Sequence, residues 1–189
     1  IMRIISGIAK GKKILNPINK KTRPLKDIVR ESIFNILSHS NLLSVELKEC
    51  LVLDLFSGVG SFGLEAISRQ AKKVIFYENY QPAISLLIKN LNSLNFNEKA
   101  EIVKKNIYVD NSFKKLKYKF NIIFIDPPFK DKNLNLLLIN IASSQILSSK
   151  NIIIIHRNKT TKDNFDKSFK IVREEIYGSS KIIFGYFNL

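Results

Sequence analysis

The fold follows from the stretch Leu51–Ala66, whose sequence is LVLDLFSGVGSFGLEA. Its first five residues are almost continuously apolar, as in a strand that is buried on both faces of a parallel sheet. The glycines at positions 58, 60 and 63 then allow a sharp turn, a close approach of the backbone to a ligand, and tight packing of the next helix on the strand. The pattern predicts strand, turn and helix with a nucleotide-like ligand at the turn, although small residues also occur at such turns for steric reasons alone.

An acidic residue closes the next predicted strand. Glu78 follows the apolar run Val74–Tyr77 and lies twenty residues after Gly58. A carboxylate at that separation can accept hydrogen bonds from both hydroxyls of a ribose. Because nicotinamide cofactors and S-adenosylmethionine both carry such a ribose, these features alone do not distinguish an oxidoreductase from a methyltransferase.

The distinguishing feature is the turn Asp126-Pro127-Pro128-Phe129, which directly follows the apolar run 120–125. Two consecutive prolines fix the backbone and remove two N–H donors, so hydrogen-bond acceptors dominate this turn. A carboxylate and the Pro127 carbonyl can accept the two hydrogens of an exocyclic amine, and the Phe129 ring offers a face on which a base can stack. An Asp-Pro turn is ordinary loop chemistry, but this order after a buried strand favours a site for a flat, amino-bearing ring.

The chain resembles the bacterial ribosomal small-subunit RNA (guanine-N2)-methyltransferase D family, within the Rossmann-like S-adenosylmethionine-dependent methyltransferases. The resemblance covers nearly the whole chain. Its segments are Arg3–Gly7 with Gly11–Ile14, Thr22–Pro24 with Val29–Asn35, Asp54–Gly60, Gly63–Arg69 and Asp126–Phe129. The last segment also occurs in other amino-methylating enzymes, so the combination carries the resemblance. The chain departs from the family pattern at Leu25, where a second threonine is usual, and at His156, where an acid is usual.

The resemblance implies methyl transfer from S-adenosylmethionine to the N2 amine of a guanine in small-subunit (16S) ribosomal RNA, either naked or in an assembling ribosomal particle. It implies an α/β fold in residues 41–189, a Rossmann-like seven-stranded sheet whose last strand is antiparallel, and an RNA-contacting hairpin and helix in residues 1–40. The expected catalytic residues are Asp126, Pro127, Pro128 and Phe129. The expected cofactor-binding residues are Asp54, Phe56, Ser57, Gly58, Gly60, Glu78, Asn79, Asn106 and Ile107.

Asn106 and Ile107 are expected to bind the cofactor because of their position in the chain. They follow the predicted third strand, Glu101–Lys105, where such folds hold the adenine edge through a polar side chain and a backbone N–H. An asparagine at a strand end is equally a routine turn residue.

Positive charge is concentrated in the first thirty residues. The net charge is +15, and residues 1–30 hold nine lysines and arginines against Asp27 alone. Such a basic arm predicts a polyanionic partner bound with salt-dependent affinity; a lysine-rich composition explains the total charge but not its clustering. The expected RNA contacts are Arg3, Lys10, Lys12, Lys13, Arg23 and Arg30. Arg23 and Arg30, near the start of a predicted helix 26–39, can clamp phosphates or instead form ion pairs with Glu31 and Asp27.

Other features limit the possible functions. No apolar run approaches the roughly 20 residues of a membrane span, and no signal peptide is recognisable, so we expect a cytoplasmic protein. We also expect a monomer. Cys50 is a lone cysteine beside a buried strand and predicts a core residue. His39 and His156 are far apart in sequence, so no zinc ligand set is expected.

Other functions remain open, and one is a methyltransferase that acts on an amino group of another nucleic acid. A nicotinamide-dependent oxidoreductase would share the glycine turn and Glu78, but it leaves the turn 126–129 and the basic arm unexplained. A non-catalytic RNA-binding module on the same fold would bind no S-adenosylmethionine.

Overall fold

The computed structural model describes residues 2–16, 25–43, 45–109 and 113–188. Its elements are α1 (Asp27–His39), β1 (Leu51–Leu55), α2 (Ser61–Ser68), β2 (Lys73–Tyr77), α3 (Gln81–Leu94), β3 (Ala100–Val103), β4 (Phe120–Ile125), α4 (Leu134–Ser143), β5 (Leu147–Asn158), β6 (Phe169–Tyr177) and β7 (Ser180–Phe187). Short 3₁₀ turns cover Leu47–Glu49 and Asn97–Lys99. The predicted RNA contact Arg23 lies outside the described residues.

The strands form one seven-stranded sheet in the order β3-β2-β1-β4-β5-β7-β6. Neighbours from β3 through β5 are parallel, and β7 is antiparallel to both β5 and β6. The predicted fold class is therefore confirmed. The sheet order reverses between β1 and β4, and loops beyond the carboxyl ends of strands at such a point form the usual ligand crevice of this architecture.

Apolar side chains pack on both faces of the sheet. One core contains α2 and α3 together with Ile4 and Ile14 of the amino-terminal hairpin and Val29 and Ile33 of α1. The other contains α4 and the opposite faces of β1, β4 and β5. Because the hairpin and α1 share a core with the sheet, the expected boundary near residue 40 does not separate two cores. Cys50 is buried in the first core, where burial raises the pKa of its thiol to about 12.

The amino-terminal hairpin is short and lies against α2. Arg3 and Lys13 form an antiparallel bridge. The backbone N–H of Ala9 donates to Ser68 Oγ at 3.0 Å, and a Cβ at Gly7 would lie 2.0 Å from the Ser68 carbonyl oxygen. Only glycine permits this approach, since Gly7 also has a φ of +84°. The tip of the hairpin is thereby fixed at the carboxyl end of α2.

Strand β5 is much longer than the apolar run 152–155 within it. It begins at Leu147, which pairs with Phe120, and the register shifts before Ile122 pairs with Ile152. The Asn121 amide donates to Ser148 Oγ at 3.2 Å. Polar residues that predict a loop therefore extend the strand, because a neighbouring side chain satisfies their hydrogen bonds.

Among the helices in the described ranges, none is long and apolar enough to cross a membrane. In the same ranges, no group of three His, Cys, Asp or Glu side chains is arranged to hold a metal ion.

Candidate active site

A cleft of about 400 Å³ opens beyond the carboxyl ends of β1 and β4. Its lining residues are Phe56, Gly58, Glu78, Asn79, Tyr80, Asp126, Pro127, Pro128, Phe129 and His156. The cleft therefore brings together the four expected catalytic residues and the expected cofactor residues Phe56, Gly58, Glu78 and Asn79. Tyr80 and His156 are additions that the sequence motifs did not assign.

The three glycines of the turn have different roles. Gly58 has a φ of +55°, and a Cβ there would meet nothing within 4 Å, so its backbone faces open space beside the cleft. A Cβ at Gly60 would lie 2.4 Å from Leu87 of α3, and one at Gly63 would lie 2.3 Å from the Phe76 ring. Of the three, only Gly58 faces open space, while Gly60 and Gly63 allow close packing on neighbouring elements.

Glu78 connects the end of β2 to the glycine turn. Its Oε2 accepts the Gly58 N–H at 2.7 Å, and its Oε1 accepts the N–H groups of Asn79 and Tyr80 at 2.9 and 2.8 Å. A carboxylate has about four acceptor positions. One position therefore remains for a ligand hydroxyl after these three bonds.

Asp54 lies beneath the cleft rather than in its lining. It is 1% exposed, and its Oδ2 accepts the Gly63 N–H at 3.0 Å. Burial holds its pKa well above the usual range, and the nearby charges of Asp126 and Glu78 act in the same direction. Asp54 thus anchors the start of α2.

The other expected cofactor residues also lie outside the lining of the cleft. Asn106 is exposed, and its Oδ1 accepts the Tyr108 N–H at 3.0 Å, which is the turn role that an asparagine at a strand end often takes. Ile107 is buried in the second core. The Ser57 hydroxyl is buried and has no hydrogen-bond partner among the described residues. A buried polar group without a partner fits a position that a ligand completes.

His156 contacts the carboxylate of Asp126 directly. Its Nδ1 lies 2.8 Å from Asp126 Oδ1, and its Nε2 lies 2.9 Å from Ser180 Oγ. An ionised Asp126 requires that Nδ1 carry the proton, so in a neutral imidazole Nε2 accepts from the Ser180 hydroxyl. The His156 ring also meets the Phe129 ring edge-on, with centroids 5.8 Å apart. Ser180, His156 and Asp126 are linked in the order found in serine nucleophile sites. Ser180 is only 5% exposed, however, so its hydroxyl is not open to a substrate.

The family resemblance marks His156 as a departure from the usual acid but gives it no role. Strand β5 is parallel to β4, so both strands lead to the same edge of the sheet. The position of His156 after the apolar run 152–155 could therefore have indicated a site residue. Its partner Ser180 comes from β7 and could not be identified from spacing.

Arg157 fixes the backbone on the far side of the same turn. Its buried guanidinium donates to the carbonyls of Pro128 and Asp131 at 3.3 and 2.9 Å, and it forms two bonds with Asp163 at 3.0 and 2.9 Å. The Asp131 carboxylate in turn accepts the Tyr108 hydroxyl at 2.6 Å. The acceptor-rich turn is therefore held from both sides by β5, through His156 and Arg157.

The expected RNA contacts do not form one surface. Arg3, Lys10, Lys12 and Lys13 are exposed on the hairpin. Arg30 is fully buried, donates to the Arg3 carbonyl, and pairs with Asp27 at 3.0 Å and Glu65 at 3.7 Å. The predicted phosphate contact of Arg30 is therefore wrong in this structure, because the guanidinium links α1, α2 and the hairpin instead.

The hairpin tip also lies away from the cleft. Its anchor Ser68 is the last residue of α2, whereas the cleft lies beyond β1, where α2 begins at Ser61. Eight helical residues span about 12 Å. An RNA would have to extend along α2 to reach both.

The sheet is doubly wound and contains an antiparallel β7, and an acceptor-rich turn lies in the cleft where the strand order reverses. These features define a Rossmann-like protein of the methyltransferase class. Residues 2–186 match the family described as Conserved hypothetical protein 95. The chain belongs to this family, which is the ribosomal RNA small subunit methyltransferase D family that the sequence resembles.

Curated relatives carry that name. Ribosomal RNA small subunit methyltransferase D of Haemophilus influenzae is 37% identical over 129 residues, which cover 68% of this chain and 64% of the relative. The protein of the same name from Buchnera aphidicola subsp. Acyrthosiphon pisum is 32% identical over 178 residues, covering 92% of this chain and 86% of the relative.

Solved structures agree on the fold. The Escherichia coli protein yhhF has a TM-score of 0.81 at 27% identity and covers 100% of this chain and 98% of its own. An RNA methyltransferase from Salinibacter ruber, in complex with S-adenosyl-L-homocysteine, has a TM-score of 0.62 at 15% identity, covering 88% of this chain and 94% of its own. At that identity the likeness shows the fold alone.

Proposed function

We propose that this protein transfers a methyl group from S-adenosylmethionine to the N2 amine of a guanine in small-subunit ribosomal RNA. One observation carries the proposal: a single cleft contains both the acceptor-rich turn Asp126–Phe129 and the glycine turn with Glu78. The names of the curated relatives support ribosomal RNA as the substrate.

The cleft fits the cofactor in size and chemistry. Its volume of about 400 Å³ lies in the range of small-molecule sites. Gly58 offers open backbone, the buried Ser57 hydroxyl lacks a partner among the described residues, and Glu78 keeps an acceptor position for a ribose hydroxyl. When bound, S-adenosylmethionine supplies a methyl group activated by a sulfonium.

The turn supplies two acceptors for the two hydrogens of an amine. His156 occupies Asp126 Oδ1, which leaves Oδ2 for the substrate. The Pro128 carbonyl accepts from Arg157 and from the Asp131 N–H, whereas the Pro127 carbonyl accepts no hydrogen bond within the described part of the chain. Asp126 and the Pro127 carbonyl are therefore the available pair.

These acceptors make guanine N2 a better nucleophile. The lone pair of that amine is delocalised into the ring, and hydrogen bonds from its N–H groups to fixed acceptors draw it back towards nitrogen. One N–H must lose its proton as the new N–C bond forms, and Asp126 is placed to accept it. The target base has to leave the RNA stack to enter the cleft, and the Phe129 ring can then stack on it.

The test is methyl transfer to small-subunit RNA from cells that lack the gene, with naked RNA and assembled particles compared. Nucleosides are then analysed by mass spectrometry, and N2-methylguanosine is expected in one of the two substrates. A methyl group on another base or on a ribose would overturn the assignment of the target atom. Calorimetry with S-adenosylmethionine separates the enzyme from a non-catalytic RNA-binding module, which would bind none.

A further inference from the structure

A second depression adjoins the candidate active site. It has a volume of about 580 Å³ and lies between the loop after β4 and the loop after β5. We call it the lysine groove; its lining includes Phe129, Lys130, Lys132, Arg157, Thr161 and Lys162. Phe129 also lines the cleft, so the two depressions meet at the ring proposed to stack on the target base.

The lysine groove carries an excess of positive charge. Its acidic residues are Asp131 and Asp163, and both already have partners. Asp163 pairs with the buried Arg157, and Asp131 accepts the Tyr108 hydroxyl. Lys130, Lys132 and Lys162 are exposed, and none of them forms an ion pair with another described residue. Three ammonium groups therefore remain available to a ligand.

The walls of the groove are tied together before any ligand arrives. Arg157 bonds the backbone of the first wall at Pro128 and Asp131 and the carboxylate of the second wall at Asp163. A groove held in this way loses little conformational entropy when it binds.

We propose that the lysine groove binds the phosphodiester backbone of the RNA strand next to the target nucleotide. The inference rests on the proposed function. A base that enters the cleft leaves its flanking phosphates at the mouth, and the lysine groove begins there, at Phe129. Single-stranded nucleic acids are commonly held by such a combination of an aromatic platform and a positively charged groove.

This site is separate from the hairpin. Lys10 and Lys12 lie near the carboxyl end of α2, whereas the lysine groove lies at the carboxyl ends of β4 and β5. Substitutions in one region therefore leave the lysines of the other in place, and variants distinguish the two basic regions.

The experiment compares two triple variants of the full chain that lose the same charge. The groove variant is Lys130→Ala, Lys132→Ala and Lys162→Ala. The matched control replaces Lys89, Lys150 and Lys170, which are exposed on α3, at the amino end of β5 and on β6. The probe is a single-stranded RNA of about ten nucleotides with a central guanine, a length within the usual site size of such grooves. Binding is measured without cofactor over a series of salt concentrations.

The groove variant should bind the probe at least tenfold more weakly, and the slope of log K against log salt should fall by about 2, close to 0.7 for each lost phosphate contact on a single strand. The control should behave as the parent does, and both variants should retain the parent's affinity for S-adenosylmethionine. Equal affinities and equal slopes for the two variants would overturn the inference. Polyglutamate serves as a second probe. A groove variant that binds RNA as the parent does but no longer binds polyglutamate would assign the groove to an acidic protein segment and would also overturn the inference.

Failure of the proposed function would look different. In that case the parent protein would transfer no methyl group to any RNA and would still bind the probe through the three lysines. That result would support the lysine groove as an RNA site and would contradict the proposed methyltransferase activity.

Discussion

Asp126 is the residue on which the proposed chemistry depends most. Asp126→Asn keeps the shape of the side chain but removes its charge, and the amide can turn its NH₂ towards the substrate amine. Methyl transfer is expected to fall by about 10²-fold or more, a typical scale for one positioned polar group. Single-turnover transfer with cofactor and RNA saturating measures this step apart from binding. A folded variant that binds both ligands and reacts at the parent rate would reduce Asp126 to turn scaffolding.

His156 is expected to position Asp126 without touching the substrate. His156→Leu removes the donor at 2.8 Å from Asp126 Oδ1, whereas His156→Gln can still donate to it. The first variant should lose about tenfold in the single-turnover rate and the second should recover part of that loss, as expected for one charge-assisted hydrogen bond. Affinity for S-adenosylmethionine should change little in both. Equal rates for the leucine and glutamine variants would contradict a positioning role.

Asp54 should give the stability of the protein a dependence on pH. Because its folded pKa is raised, its contribution to stability is fully present below the unfolded value near 3.8 and is lost as pH rises towards the folded value. Asp54→Asn removes this titration. The free energy of unfolding of the variant, relative to the parent, should therefore increase from about pH 4 upward. Urea unfolding at several pH values measures the difference, and parallel profiles would show that Asp54 is not the cause.

At the scale of elements, the glycine turn combines two separable requirements. Gly60→Ala brings a Cβ to 2.4 Å from Leu87 at a φ of +85°, so it should destabilise the fold by about 2 to 4 kcal/mol. Gly58→Ala has room for its Cβ and carries only the cost of a positive φ, about 1 kcal/mol. It should nevertheless weaken cofactor binding. Denaturant unfolding and calorimetry on both variants separate the two effects, and the reverse pattern would exchange the roles of the two glycines.

The same elements show what the sequence could predict. The largely apolar run 120–125 and the predicted helix 26–39 depend on neighbouring residues, and the structure confirms the strand and, to within one residue, the helix. Polar and charged side chains depend on partners far along the chain. Arg30 forms an ion pair with Glu65, His156 a hydrogen bond with Ser180, and the polar start of β5 a hydrogen bond with Asn121. Spacing along the sequence carries no information on these pairs, so their roles became clear only in three dimensions.

At the scale of the whole molecule, the two basic regions should divide the RNA between them. Replacing Arg3, Lys10, Lys12 and Lys13 by alanine should weaken binding of long ribosomal RNA and lower its salt slope. Binding of S-adenosylmethionine should not change, because none of the described hairpin residues lines the cleft. Titrations with long RNA over a salt series, and calorimetry with the cofactor, make the comparison. A hairpin variant with the parent's slope on long RNA would leave these side chains as solvated surface.

The attachment of the hairpin also has a consequence for the order in which the molecule folds. The backbone N–H groups of Ile5 and Ala9 bond to Glu65 and Ser68, which come 60 and 59 residues later in the chain. Bringing such distant segments together costs loop-closure entropy, and the hydrogen bonds that offset this cost form only afterwards. During synthesis the hairpin therefore leaves the ribosome before its anchor exists, and it can attach only when α2 has formed on the sheet. An element near the start of the chain thus becomes ordered only after the helix that follows the glycine turn.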